Sequence, residues 1–132
     1  MAKPPEQCGI LVVEDDPSIR RLVKMVLRRH GYNVETASDG VEAVLKLGLS
    51  EYDCIVLDLM MPNLDGFSFM DTLAESDPER IKSIIVTSAA SPGVIKERMH
   101  GAPFAVLPKP FDIEHLAEQV RLCIASRTLA TR

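Results

Sequence analysis

The chain has 132 residues, enough for one domain with a sizeable hydrophobic core. Hydrophobic residues make up 46% and charged residues 26%, a balance that is typical of folded globular domains and excludes a disordered chain. The formal net charge is −4, and no Lys/Arg-rich block interrupts the sequence. Because neutralisation of phosphates supplies most nucleic-acid affinity, we expect no direct binding to nucleic acid.

Targeting signals and cysteine usage narrow the class of protein further. No apolar run approaches the roughly 20 residues that span a bilayer, and the N-terminal stretch MAKPPEQCG lacks the apolar core of a signal peptide. We therefore expect a cytoplasmic protein without membrane contact. Cys8, Cys54 and Cys123 are scattered without CxxC spacing, so we expect neither a thiolate metal site nor a disulfide framework. Cys54 lies in the apolar run CIVL and is predicted to be a core residue.

Two kinds of hydrophobic pattern alternate along the chain. Short β-branched runs predict strands at residues 10–13, 33–37, 53–57, 83–87 and 104–107. Apolar residues at helical spacing follow each strand and predict five helices. Their positions are 19–27, then Val41, Val44, Leu45 and Gly48, then 67–74, 94–99 and 113–124, with the pattern weakest over 94–99. Asp16, Asp39 (with Glu42) and Asp112 are predicted N-caps, and Gly31 is predicted to end the first helix.

This alternation predicts the fold class. Five repeats of strand and helix indicate an α/β domain with a doubly wound, five-stranded parallel sheet. The first and third strands, ILVV and CIVL, are almost entirely apolar, as expected for strands covered on both faces. Residues 8–126 are predicted to form the domain, and residues 1–7 and 127–132 to be flexible tails.

Polar residues gather at the ends of the predicted strands, where ligands bind in parallel α/β sheets. In chain order these ends carry Glu14, Asp15 and Asp16 after strand 1, Asp58 after strand 3, Thr87 and Ser88 after strand 4, and Lys109 after strand 5. Clustered carboxylates repel one another, and a hard divalent cation such as Mg²⁺ offsets that repulsion through oxygen ligands. A carboxylate can also act as the nucleophile in phosphoryl transfer.

Each of these residues alone has a plainer interpretation. Asp16 suits a helix cap, Glu14 and Asp15 are ordinary loop acids, Thr87 is an ordinary strand residue, and Lys109 is an ordinary solvated lysine. The joint pattern favours a site, because separate strand ends deliver complementary groups to one edge of the sheet.

The motifs ILVVEDD, IVLDLMMPNLDG, IIVTSA and LPKPF, in this order, resemble the receiver domain of bacterial two-component response regulators. The resemblance covers about residues 9–126. It implies a flavodoxin-like (βα)5 fold with strand order 2-1-3-4-5. It also implies a signalling switch in a phosphorelay, not an enzyme that acts on external substrates.

The resemblance implies roles residue by residue, with Mg²⁺ or Mn²⁺ as the cofactor. It assigns Asp58 as the phosphoacceptor, Asp15 and Glu14 as metal-binding acids, Met60 as a metal ligand through its backbone carbonyl, Thr87 as the switch hydroxyl, Ser88 as the small pocket residue, Lys109 as a phosphoryl contact, and Pro110 as a cis-proline. A sensor histidine kinase or phosphotransfer protein would donate the phosphoryl group, and a downstream target protein would read the result. Two interpretations of the charged residues on helices 4 and 5 stay open. They pair across a homodimer formed through helix 4, strand 5 and helix 5, or they are simply solvated.

The sequence departs from the family pattern in two respects. Val106 stands where many receivers carry an aromatic signal reporter, and the nearby Phe104 lies two residues earlier. We expect no aromatic relay, so output would use Thr87 and movement of the following loop or helix. Met60 and Ala89 cannot hold an attacking water by hydrogen bonding, which predicts slow autodephosphorylation.

Three competing interpretations fit the residues less well. A haloacid-dehalogenase-type phosphatase needs a second Asp two residues after the nucleophile, where this chain has Met60. A flavodoxin needs a hydroxyl- and glycine-rich phosphate loop after strand 1, where this chain has EDD. A structural pseudo-receiver predicts a damaged acid site, whereas the acids, Thr87 and Lys109 are all present.

Overall fold

The computed structural model describes residues 4–61 and 64–130. Five strands form the central sheet: β1 (Gly9–Val13), β2 (Asn33–Ala37), β3 (Cys54–Asp58), β4 (Ile84–Ser88) and β5 (Ala105–Pro108). The longer helices are α1 (Pro17–Arg29), α2 (Gly40–Leu49), α3 (Gly66–Ser76), α4 (Pro92–Arg98) and α5 (Ile113–Ala130). The strands are parallel in the order β2-β1-β3-β4-β5, which confirms the predicted doubly wound sheet and its strand order.

Three short elements join this frame without having been predicted. They are a 3-10 helix (Pro5–Gln7), an antiparallel pair of two-residue strands (Met60–Met61 with Leu64–Asp65), and one helical turn (Pro78–Ile81). Each is too short to show a hydrophobic period. α5 continues to Ala130, past the end of the apolar pattern. The limits of the domain, residues 8–126 with tails on either side, remain a prediction.

The helix boundaries follow the predicted caps. The side chains of Asp16, Asp39 and Asp112 each accept hydrogen bonds from backbone N–H groups in the first turn of α1, α2 and α5. Glu42 completes a capping pair, although its carboxylate binds the residue before Asp39 and not Asp39 itself. Gly31 has φ +94°, a conformation that glycine adopts without steric cost, and it follows the end of α1.

Side chains alternate between two hydrophobic clusters, one on each face of the sheet. The cluster under α1 and α5 includes Ile10, Val12, Cys54, Val56, Val23, Leu27, Leu116 and Val120. The cluster under α2, α3 and α4 includes Leu11, Val13, Ile55, Leu57, Ala43, Phe67, Met70 and Ile95. Every residue of β3 is buried, as expected for a strand covered on both faces. Cys54 lies in this core, as predicted.

Helix α2 forms where predicted, but the apolar residues that defined it face solvent. Val41, Val44 and Leu45 are 65%, 56% and 62% exposed, whereas Gly40 and Ala43 are buried. These small residues share the inner face with the partly buried Leu47, which packs against the cluster under α2, α3 and α4. The three exposed side chains form an apolar stripe on the surface.

Candidate functional site

The carboxyl ends of β1, β3, β4 and β5 meet at one edge of the sheet. Asp58 is the last residue of β3, and Glu14 and Asp15 follow β1 directly. Thr87 of β4 pairs with Asp58 in the parallel register. Because neighbouring parallel strands end at the same level, residues far apart in sequence converge here, as the sequence predicted.

The acids form a compact cluster. One carboxylate oxygen from each of Glu14, Asp15 and Asp58 lies within 4.8 Å of the others. Glu14 is 4% and Asp58 3% exposed, while Asp15 is more exposed. Charges of like sign repel more strongly when water is excluded, so this arrangement needs cations to offset it.

Lys109 bridges the two buried acids. Its Nζ donates to Oε1 of Glu14 over 2.8 Å and to Oδ2 of Asp58 over 3.0 Å. Within residues 4–61 and 64–130, Lys109 supplies the ion pairs of this cluster. One ammonium group facing three carboxyl groups leaves an excess of negative charge. That excess suits a divalent cation.

Burial changes the proton affinities in the cluster. It raises the pKa of Glu14 from 4.5 to about 7, although hydrogen bonds from Lys109 and from the backbone N–H of Asp16 lower it in part. The charge of Asp58 acts in the same direction as burial. Burial alone would lower the pKa of Lys109, but its hydrogen bonds to Glu14 and Asp58 outweigh that effect and raise it. The lysine therefore stays positively charged.

The donor set fits a hard metal ion. Carboxylate oxygens are the ligands that Mg²⁺ and Mn²⁺ prefer, and Mg²⁺ sites keep places for water and phosphate oxygens. Glu14, Asp15 and Asp58 would hold the ion, with two of the three oxygens in a buried setting. The role of the Met60 backbone carbonyl as a metal ligand, which the resemblance implies, stays a prediction.

The loop after β3 is held against Asp58 by backbone contacts. The backbone N–H of Met60 donates to Oδ1 of Asp58 over 3.0 Å, while the Met60 side chain is 55% exposed. The backbone N–H of Gly66 donates to the carbonyl of Leu59 over 3.1 Å. A Cβ atom on Gly66 would lie 2.5 Å from the Leu59 Cα, so only glycine fits this approach.

Thr87 and Ser88 connect the site to the loop before α4. Both side chains are buried. Ser88 Oγ accepts a hydrogen bond from the backbone N–H of Ala90 over 3.0 Å, and the Ser88 carbonyl accepts one from the backbone N–H of Lys109 over 2.7 Å. The Lys109–Pro110 peptide bond is cis. Movement at Thr87 would thus reach both α4 and the Lys109 segment.

Val106 and Phe104 have different surroundings. Val106 is 38% exposed and lines a cleft of about 480 Å³ beside α4, together with Ile95 and Met99. Phe104 packs against the cluster under α1 and α5, and its backbone N–H donates to the carbonyl of Ile84 at the opposite end of β4. Neither residue contacts the acids by any hydrogen bond or ion pair in the described part of the chain.

Sequence reasoning missed Arg20. Its guanidinium donates to the backbone carbonyls of Glu14 and Asp15 over 3.0 and 3.3 Å, which fixes the loop that carries both acids. The signal was available in principle, because Arg20 lies one helical turn after the predicted cap Asp16 and can reach back over that turn. A buried backbone carbonyl needs such a donor.

Comparison with known proteins agrees with this geometry. A family model described as "Response regulator receiver domain" matches residues 10–121. Response regulator MprA of Mycobacterium sp. (strain KMS) is 37% identical over 115 residues, covering 85% of this chain and 48% of that protein. The DNA-binding dual master transcriptional regulator RpaA of Synechocystis sp. is 36% identical, covering 85% and 47%. The chain therefore spans about half the length of these relatives.

Solved structures show the same fold. The receiver domain of the Francisella response regulator 1452 has a TM-score of 0.81 at 31% identity, covering 92% of this chain and 99% of that one. Response regulator TrrA of Thermotoga maritima, solved in complex with Mg(2+)-BeF, has a TM-score of 0.74 at 30% identity, covering 89% and 99%. Within residues 4–61 and 64–130, every helix is too short or too polar to span a bilayer. The fold, the acid cluster and the family match together show that this chain belongs to the response regulator receiver domain family.

Proposed function

We propose that the protein accepts a phosphoryl group from a histidine kinase or a phosphotransfer protein onto Asp58, in a reaction that needs Mg²⁺ or Mn²⁺. One observation carries this proposal: Asp58 lies buried among Glu14, Asp15 and Lys109, with carboxylate oxygens within 4.8 Å and an ammonium at 3.0 Å. Receiver domains are signalling switches, so the proposed product is a changed surface and not a released metabolite.

The chain's own residues would act as follows. A carboxylate oxygen of Asp58 attacks phosphorus in line; the new O–P bond forms as the N–P bond of the donor phosphohistidine breaks, and the imidazole leaves. Lys109 already contacts Asp58 and would stabilise negative charge on the phosphoryl oxygens. The divalent cation, when bound to the acids, would supply further charge stabilisation. The backbone N–H of Met60 orients Asp58 through Oδ1.

Thr87 would couple phosphorylation of Asp58 to a change elsewhere in the domain. A phosphoryl group adds charge and acceptor oxygens next to Asp58, and the Thr87 hydroxyl is the donor that the register places opposite. Ser88 binds the backbone of Ala90, so a shift at β4 would pull on the loop before α4. We infer that the surface of α4, β5 and α5 then changes affinity for a downstream target, or for a second copy of the chain.

We also propose that this switch works without an aromatic relay. Val106 cannot perform a ring rotation, and Phe104 packs under α1 and α5 at the far end of the strands. A structure of the phosphorylated protein with Phe104 swung beside Thr87 would contradict this part of the proposal.

Binding to nucleic acid is a separate question. The related protein RpaA is named as a DNA-binding regulator, and this chain covers 47% of its length. The expectation that this domain does not bind nucleic acid itself therefore remains a prediction.

The proposal is tested by incubating the protein with acetyl phosphate and Mg²⁺ and measuring the intact mass. We expect the wild type to gain the mass of one phosphoryl group, and neither Asp58→Ala nor wild type in excess chelator to gain it. Asp16→Asn, which keeps the helix cap, is the matched control and should be labelled normally. Labelling of Asp58→Ala at the wild-type level would overturn the assignment.

A further inference from the structure

The C-terminal end of α4 contacts the start of α3 through an arginine. Arg98 is the last residue of α4, and its Nη2 donates to Oδ2 of Asp65 over 3.1 Å. Its guanidinium carbon also lies 4.2 Å from the centre of the Phe67 ring, within the range of a cation–π contact. Phe67 is buried in the cluster under α2, α3 and α4, so the guanidinium stacks on a ring whose position is fixed by packing.

Asp65 belongs to the loop that orients the predicted phosphoacceptor. It lies opposite Met60 in the short antiparallel strand pair, and the backbone N–H of Met60 donates to Oδ1 of Asp58 over 3.0 Å. The other oxygen of Asp65, Oδ1, caps α3 by accepting from the backbone N–H of Phe67 over 2.9 Å. One carboxylate thus joins the end of α4, the start of α3 and the loop that contacts Asp58.

Helix α4 is otherwise lightly packed. Within residues 92–98, Ile95 is the buried residue. On the side of β5 the helix borders the cleft of about 480 Å³ that Val106 also lines. A short helix with one buried side chain and a cleft beside it can shift at a small cost in free energy. Contacts at its end therefore have a strong influence on where it lies.

The Arg98 contact occurs together with an acid site in which Lys109 binds the Asp58 carboxylate directly. Lys109 Nζ donates to Oδ2 of Asp58 and to Oε1 of Glu14 at the same time. A phosphoryl group on Asp58 would attract this ammonium to its own oxygens. The position of α4 that Arg98 stabilises is therefore the one that accompanies an unmodified Asp58.

We propose that Arg98 is a positioning residue that holds α4 against the loop after β3 in the arrangement adopted before phosphorylation, and so restrains phosphorylation of Asp58. A contact made in only one of two arrangements biases the equilibrium toward that arrangement. It links α4 to Asp58 through Asp65 and Met60, a route separate from Thr87. This inference rests on the proposed function, and it adds a restraint on the same switch.

The contact is strong enough to bias the equilibrium and too weak to lock it. The side chains of Arg98 and Asp65 are 49% and 47% exposed, so water screens their ion pair. The stacking on Phe67 adds a contribution of similar size. We expect the two together to shift the equilibrium by about threefold to tenfold. The apparent affinity for a ligand of the other arrangement changes by a similar factor, because it scales with the fraction of competent protein.

The test is Arg98→Met, which keeps an unbranched side chain over Phe67 and removes the positive charge. Calorimetry measures the affinity for beryllofluoride, a mimic of the phosphoryl group, in Mg²⁺, and intact mass measures the rate of labelling by acetyl phosphate. We expect beryllofluoride to bind about threefold to tenfold more tightly and labelling to be faster by a similar factor. Asp65→Asn, which keeps the cap of α3, should also tighten binding and speed labelling.

Asp71→Asn is the matched control. Oδ1 of Asp71 lies 3.3 Å from Nδ1 of His100, so this pair also joins the end of α4 to α3, but Asp71 lies inside α3 and away from the loop that contacts Asp58. Its affinity for beryllofluoride should stay within about twofold of wild type. Arg98→Lys keeps the charge and should lie closer to wild type than Arg98→Met. Arg98→Met combined with Asp65→Asn should match Arg98→Met alone, because both substitutions remove one shared contact.

Each result has a definite meaning. Unchanged or weaker binding of beryllofluoride by Arg98→Met, with normal binding by the wild type, would refute the inference alone. Equal tightening in Asp71→Asn would mean that any loosening of α4 from α3 has this effect, and additive changes in the double variant would mean that the two residues act separately. Either would overturn the role of the Arg98 contact. A wild type that neither binds beryllofluoride nor is labelled would refute the proposed function itself.

Discussion

We propose that the side chain at Met60 sets how long a phosphoryl group on Asp58 persists. Its backbone contacts Asp58, while its side chain is 55% exposed beside the site. A thioether binds water too weakly to hold it for attack on phosphorus. Met60→Asn adds an amide that can orient water, so we expect phospho-Asp58 to decay about tenfold faster, which corresponds to ~1.4 kcal/mol in the barrier.

This prediction is checked by following the phosphorylated fraction by mass spectrometry after the donor is removed, in Mg²⁺ buffer. Met25→Asn is the control, because Met25 is also exposed but lies on α1 and not in the loop after β3. Its decay should match that of the wild type. An unchanged decay in Met60→Asn would mean that access of water does not limit hydrolysis.

Single residues differ in how well the sequence predicted them. Convergence of Asp58, Glu14 and Lys109 was predictable, because the ends of parallel strands meet at one edge. The position of Arg20 one turn after Asp16 allowed its contact with the acid loop, but the sequence does not determine which rotamer the side chain adopts. Phe104 was predicted to be the first residue of the fifth strand, whereas β5 begins at Ala105 and Phe104 packs against the cluster under α1 and α5.

Gly66 shows that the first position of a helix can require a residue without a Cβ atom. It is the first residue of α3, and a Cβ there would meet the backbone of Leu59. We expect Gly66→Ala to lower the free energy of unfolding by about 1–3 kcal/mol, because neither backbone can move away freely. Gly48→Ala on the exposed side of α2 has open space and should raise it by about 1 kcal/mol.

Urea unfolding of both glycine variants measures these changes. Opposite signs are expected, since the substitution is identical and only the surroundings differ. Equal stability of Gly66→Ala and wild type would mean that the loop after β3 relaxes at no cost. The proposed close approach to Leu59 would then be wrong.

Substitutions in α2 and α5 can test which helix faces are buried. Leu45 is 62% exposed, whereas Leu116 in α5 is fully buried. Leu45→Ala should change the free energy of unfolding by less than about 0.5 kcal/mol, and Leu116→Ala should lower it by about 2–5 kcal/mol. Thermal or urea unfolding of the two variants measures these changes. A large loss of stability in Leu45→Ala would mean that the apolar stripe of α2 is buried in the core.

The stripe on α2 also shows a limit of periodicity. Helical spacing of Val41, Val44 and Leu45 predicted the helix correctly, because the period depends only on the local chain. Which face is buried depends on how the helix packs on the sheet, and here Gly40, Ala43 and Leu47 lie on the inner face. That packing is a tertiary property, so local periodicity alone does not determine it.

The topology of the whole molecule was predictable from patterns spread along the chain. Five apolar runs separated by helical stretches allow few arrangements once crossovers are right-handed. The short strand pair after β3 and the turn Pro78–Ile81 were not predictable, because each is only a few residues long. Both lie between elements that the pattern did define.

The excess of negative charge at the site has a consequence for the stability of the whole molecule. A cation that binds only the folded protein stabilises it by RT ln(1 + c/Kd), where c is the Mg²⁺ concentration, so the stabilisation rises with the logarithm of the cation concentration once the site is filled. At a Mg²⁺ concentration ten times its Kd we expect about 1.4 kcal/mol, or about 5 °C in Tm for a domain of this size. Calorimetric scans in Mg²⁺ and in chelator measure the shift.

Asp15→Asn should lose most of this Mg²⁺-dependent shift, because it removes a charged ligand from the cluster. Asp16→Asn keeps its cap and lies outside the cluster, so it should retain the shift. The two substitutions are identical and adjacent. A shift of equal size in both variants would mean that Mg²⁺ binds elsewhere.

We propose that Asp58 takes up a phosphoryl group only when a divalent cation is bound among the acids. Calorimetric titration with beryllofluoride, which mimics a phosphoryl group on a carboxylate, measures this requirement for the cation. We predict uptake of one beryllofluoride per chain by the wild type in Mg²⁺, and none in chelator or by Asp58→Ala. Equal uptake in chelator, or by Asp58→Ala, would contradict the account.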